Sequence, residues 1–183
     1  GKIMENTEKL AVCFQMLGRY DVKLLYHCQR TGYLAKMLAY TAGYTENICN
    51  IICEAGHVHD IGKIVMPPEI LNKKGKLTNV ERSLVNVHAY QGYRILKSLA
   101  FDDKIAEIVL FHHGIDKPRF STVLKYGKEI LDYASILQVA DAYDALTSDR
   151  PYACKRSREQ ALEIMQQDGM FKMEVLKILT ELA

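Results

Sequence analysis

No uninterrupted apolar run in this sequence approaches the ~20 residues that a bilayer-spanning helix needs, so a membrane span is excluded. Strand-type alternation of useful length is missing too, as are internal repeats and low-complexity tracts. Nor is there an excess of one charge: 24 Lys and Arg stand against 22 Asp and Glu, a net charge of +2. Without a global basic field, a long nucleic acid is not an expected partner. The opening GKIMENTEKL lacks the basic-then-apolar layout of a secretory signal, and Gly1 in place of an initiator Met reads as an excised fragment with more sequence ahead of it. The five cysteines (Cys13, Cys28, Cys49, Cys53 and Cys154) are odd in number and irregularly spaced, which reads as reduced thiols in a cytoplasmic protein.

What remains is helical. A length of 183 residues fits one domain with a core large enough to fold alone. Apolar residues recur at three- and four-residue steps, predicting helices over about 5–19, 22–41, 46–62, 78–99, 102–113, 129–148, 157–168 and 171–182, with one short turn near 69–71. Thr78 with Glu81 and Ser157 with Gln160 have capping-box spacing. Residues 114–128 carry Pro118, Gly127 and no period, and read as a loop bordering the site. The fold class is all-α, with residues 1–21 as an N-terminal helix or linker and 22–183 as the working domain.

The chain is organised around His57-Val58-His59-Asp60-Ile61-Gly62-Lys63, at the end of the third helical pattern. An adjacent His-Asp pair offers an imidazole nitrogen and a carboxylate whose second oxygen can reach another cation. A Lys three residues on can hold a phosphate beside the metal. Alone, the pair is equally a capping Asp after a surface His. Cys49, Cys53 and His57 share a helix face at four-residue steps, readable as a metal stripe and more simply as core packing. Five of the six histidines, together with two aspartates, form a wider set: His27, His59, Asp60, His88, His112, His113 and Asp141.

The order H…HDIGK…PPEILNKKGKLT…H…HH…D-AYDALTSDRPY resembles the HD-GYP branch of the HD-domain metal-dependent phosphohydrolases, with HDIGKIVMPPEILNKKGKLTNVE and VADAYDALTSDRPY as its most specific stretches. The resemblance implies an HD-type helical bundle that holds divalent first-row metals and cleaves phosphodiesters, cyclic di-GMP being the usual substrate. It implies that His27, His59, Asp60, His88, His112, His113 and Asp141 are metal ligands, with Asp60 as the bridge. Lys63 corresponds to the lysine near the scissile phosphate, and Asp144 and Arg150 to positions at the substrate's edge. Imidazole and carboxylate donors suit Fe or Mn, with Zn, Ni or Co also compatible, better than Mg. An upstream sensory or receiver domain, or a regulatory protein, is a further expectation from the resemblance.

The departures matter as much. Lys23 stands four residues before His27, where a three-metal site would place a Glu, so two metals are expected. Where the family reads HHExxDGxGYP, this chain reads HHGIDKPRFST; the His112-to-Asp141 spacing of 30 residues inclusive is kept, so the loop is rewritten rather than deleted. Ala153 also replaces a basic residue. Two readings follow: a phosphodiesterase with altered specificity, or a degenerate signalling module that binds metal and a nucleotide or protein partner without turnover.

Overall fold

The structure, a computed structural model, describes residues 4–114, 127–149 and 154–183. Among these there is no strand. The helices are α1 (Asn6–Tyr20), α2 (Val22–Thr41), α3 (Glu46–Val58), α4 (Pro68–Leu71), α5 (Asn79–Asn86), α6 (His88–Ser98), α7 (Asp103–Phe111), α8 (Lys128–Thr147), α9 (Arg158–Asp168) and α10 (Met173–Leu182), with a 3₁₀ turn at Ile61–Val65. None is long and apolar enough to cross a membrane.

Both capping boxes form: the Thr78 and Ser157 hydroxyls accept from the Glu81 and Gln160 backbone amides, and the Glu81 and Gln160 side chains accept from the cap amides in return. Asp21 and Thr45 cap α2 and α3 by the same chemistry without the reciprocal bond. Two expected helices end differently. The third stops at Val58 and passes into the 3₁₀ turn. The expected helix over 78–99 is two helices, because Val87 takes φ −87° and ψ 0° and breaks the regular ladder there. No Pro or Gly marks that break, so helical periodicity runs straight through it.

Helix α2 packs along α3 and α8, and α7 packs against α3, α6 and α8. Their shared core includes Leu38, Ile52, Ile105, Ile108, Ile130 and Leu137, all buried; each such side chain is worth on the order of 1.5–3 kcal/mol. The α2–α3 approach depends on two glycines: a Cβ on Gly56 would lie 2.5 Å from the Gly32 Cα, and one on Gly32 would lie 2.2 Å from the His57 ring. Helix α1 buries Cys13 and Leu17 in this core, and the Tyr20 hydroxyl donates to the Met66 carbonyl at 2.8 Å, tying α1 to the chain just past the 3₁₀ turn. Cys49, Cys53 and His57 are buried; the ring of His57 packs edge-on against Phe14 and Tyr33.

Candidate metal centre

Three histidines sit where helices begin or end. His59 caps α3, His88 opens α6 and His112 caps α7. There each Nδ1 reaches the carbonyl three residues back: His59 to Gly56 at 2.6 Å, His88 to Val85 at 2.6 Å and His112 to Val109 at 2.5 Å. A carbonyl can only accept, so each Nδ1 carries a proton and each ring turns its Nε2, the nitrogen able to ligate, inward. One local device repeated at three helix ends aims three rings at one place.

His27 differs, because it lies inside α2, where backbone carbonyls are committed to the helix. Its Nδ1 pairs instead with Asp144 Oδ2 of α8 at 2.7 Å. Asp144 is itself gripped by Arg30, with Nε to Oδ1 at 2.8 Å and a second guanidinium nitrogen to Oδ2 at 3.1 Å; that second nitrogen also donates to the Ser148 hydroxyl at 3.1 Å. Asp144, which the resemblance assigns to the substrate's edge, is buried, with its oxygens paired to His27 and Arg30. Neither Arg30 nor Ser148 stood out in the sequence. The usable signal was spacing: Arg30 lies three residues after His27, on the same face of α2.

All seven residues expected as ligands converge, in two groups that share Asp60. One is His27, His59, Asp60 and Asp141; the other is Asp60, His88, His112 and His113. Asp60 Oδ2 faces His27 Nε2 at 3.5 Å and His59 Nε2 at 3.3 Å, while Oδ1 faces His88 Nε2 at 3.4 Å. Asp141 Oδ1 lies 2.8 Å from His27 Nε2 and 3.1 Å from His59 Nε2. Lys63 places its ammonium 3.0 Å from Asp60 Oδ2. Arg150 lies outside the described residues, as does most of the rewritten loop.

These contacts test whether the residues fit metal ions. His88 Nε2 and Asp60 Oδ1 are both acceptors, and they face each other in a buried site. Asp60 Oδ1 and His112 Nε2 have no hydrogen-bond partner among the described residues. Buried polar atoms without partners are costly, and acceptors converging on acceptors are repulsive unless a cation lies between them. His113 Nε2 lies 2.9 Å from His88 Nε2, where a proton on one ring nitrogen is shared with the other. The donor set fits divalent first-row ions.

Without metal, protons do part of this work. Burial opposes charge on His59, but Asp60 and Asp141 outweigh it and hold its pKa well above the ordinary value; on His27 burial is likewise overcome, by Asp141, Asp144 and Asp60. Burial would raise Asp60, yet His59 and Lys63 keep its carboxyl well below the usual range. In the second group the balance reverses. Burial, with His113 and His59 beside it, pushes His112 well down, so its ring stays neutral.

A protein-family model described as HD domain matches residues 11–171. Curated relatives include a cyclic di-GMP phosphodiesterase of Thermotoga maritima, 35% identical over 91% of this chain and 47% of its own length. Another, from Pseudomonas aeruginosa and also named a cyclic di-GMP phosphodiesterase, is 37% identical over 67% of this chain and 30% of its own. The chain thus spans about half of the first relative and less of the second. Among solved structures, the HD domain of the L. monocytogenes phosphodiesterase PgpH in complex with cyclic-di-AMP aligns with a TM-score of 0.68 at 19% identity, covering 93% of this chain and 92% of that one. An HDG"Y"P protein from Bdellovibrio bacteriovorus aligns at 0.67 and 16% identity, over 97% and 54%. At these identities the structures speak for the fold.

Proposed function

The chain belongs to the HD domain family, and from that premise we propose that it is a metal-dependent phosphodiesterase acting on a cyclic dinucleotide, with cyclic di-GMP the leading candidate. The observation that carries this reading is Asp60, buried, with one oxygen turned to each ligand group. In the proposal, His27, His59, Asp141 and Asp60 would hold one divalent ion, and His88, His112, His113 and Asp60 would hold a second. When bound, such a pair, with Fe or Mn suiting this donor set, lowers the pKa of an attacking water and neutralises phosphate charge. No side-chain nucleophile is then required.

The chain's own residues supply the rest. Asp60 keeps the two groups in register and, with its low pKa, remains a carboxylate at every working pH. Lys63 stays partly exposed beside Asp60, where a fixed ammonium can meet the charge that develops on a phosphoryl oxygen. Arg150 is assigned to the substrate's edge from the family resemblance. Names among the relatives, cyclic di-GMP and 3'3'-cGAMP phosphodiesterases, support the substrate class.

A second reading is favoured by the rewritten HHGIDKPRFST loop and by Ala153 in place of a basic residue: a module that keeps its metals and binds a nucleotide or regulatory partner without turnover. One experiment separates the two. Metal content per chain is measured on freshly purified protein, and the same sample is assayed for cyclic di-GMP cleavage with added Mn or Fe(II), beside a His59→Ala control. About two metals with hydrolysis lost in His59→Ala supports the enzyme. Two metals without hydrolysis, across several cyclic dinucleotides and generic phosphodiesters, supports the binding module.

A further inference from the structure

Helix α2 carries two seams. Leu24, Cys28, Thr31, Ala35 and Leu38 face the core. On the other side Lys23, Tyr26, Arg30, Tyr33, Met37 and Tyr40 follow at steps of three, four, three, four and three, and all six are exposed. Tyr26 is 52%, Tyr33 61%, Met37 54% and Tyr40 75% exposed. A three-four alternation is the spacing of a coiled-coil seam, here a single stripe about 26 Å long.

The stripe alternates in chemistry as well as in spacing. One set of positions holds Lys23, Arg30 and Met37; the other holds three tyrosines. No Asp or Glu occurs in α2, and Arg30 draws its carboxylate from α8, where Asp144 holds one edge of the guanidinium. Reversing one helix against another interchanges the two sets. Antiparallel packing then sets Lys23 on the second copy's Tyr40, Tyr26 on its Met37 and Arg30 on its Tyr33. Each pair is a favourable one: cations over tyrosine faces, and a thioether against an aromatic ring. Parallel packing sets Lys23 on Lys23, which repel.

We propose that this face of α2 is the interface of a two-fold dimer of this chain, packed antiparallel. Tyrosine side chains offer roughly 150–250 Å² each, so at these exposures the three supply on the order of 400 Å² per copy. With Met37 and the flanking Val22, which is also exposed, the total falls near the lower limit of about 1,000 Å² for a specific interface. The dimer is therefore weak and concentration-dependent. It also reaches the metal centre, because Arg30, whose Nε and one terminal nitrogen hold Asp144 and Ser148, would present its remaining edge to the second copy's Tyr33.

Sedimentation velocity of the whole chain over about 1–300 µM tests this. The expected result is a monomer–dimer equilibrium, with Tyr40→Lys, which would face Lys23 of the second copy, weakening it at least about tenfold at unchanged melting temperature. Register is read by oxidation in a Cys154→Ser background, since the four remaining cysteines are buried. Tyr26→Cys combined with Met37→Cys should cross-link two chains, and Tyr26→Cys alone, about 16 Å from its own copy in the antiparallel register, should not. A monomer throughout the range leaves the seam to another occupant and overturns the proposal. So does a dimer indifferent to Tyr40→Lys, or one that Tyr26→Cys alone links to itself.

Discussion

With His27 as a metal ligand, as proposed, removing the Asp144 carboxylate should weaken metal binding without unfolding the protein. Asp144→Ala deletes the 2.7 Å contact that fixes His27 Nδ1 and frees Arg30, its other partner. The Arg30 side chain is 50% exposed, so water can solvate it once released and the structural penalty stays near 1 kcal/mol. The ligand suffers more. A histidine that loses its outer hydrogen-bond partner regains rotational freedom and basicity is reduced, which typically costs 10–100-fold in metal affinity, about 1.4–2.7 kcal/mol. Asp144→Asn keeps an acceptor for Nδ1–H but loses the charge, and should fall at or below about tenfold. The assay is competition between the protein and a chromophoric chelator for Mn(II) or Co(II), with elemental analysis for the count. The second ligand group, built from His88, His112 and His113 on backbone carbonyls, should keep its affinity. Affinity unchanged within about twofold in Asp144→Ala, together with a raised KM, would refute the argument and return Asp144 to the substrate's edge.

Other outcomes follow from the same geometry. Lys63→Met should lower kcat by about 100–1,000-fold while leaving the metal count unaltered, as read by steady-state kinetics beside elemental analysis. Gly62→Ala should destabilise by about 3 kcal/mol or more in denaturant titration, because its Cβ would fall 1.9 Å from the His88 carbonyl oxygen, a backbone atom that cannot rotate away. Metal affinity should rise with pH: His27 and His59 have raised pKa values, so they are protonated near pH 7 without metal and must release those protons to bind it. Calorimetry in buffers of different ionisation enthalpy should count up to two protons released; none would contradict the assignment. The same raised values mean that the metal-free protein gains stability from these protons below the ordinary histidine pKa and loses it as pH climbs through the raised ones.

Much was legible in the sequence for local reasons. Capping chemistry at Thr78 and Ser157 involves residues three apart, and helical period needs only a turn or two of chain, so these elements are written where they occur. The seven expected ligands could be named because their residue types and order are distinctive in a chain with only six histidines. What they do to one another could not. The break at Val87 carries no Pro or Gly, so periodicity passes over it, and beside it the His88 ring meets the Val85 carbonyl. Asp144 and Arg30 lie 114 residues apart, and only the packing of α2 on α8 brings that carboxylate against His27 and Arg30. Likewise, a sequence can show that Asp60 has two oxygens, but only the tertiary arrangement turns each of them to a different cluster. Short-range spacing thus determined the helices, because those depend on neighbours along the chain, and the family resemblance named the candidate donors. The partnering of those atoms was decided by the fold, because it depends on which helix faces come together in space.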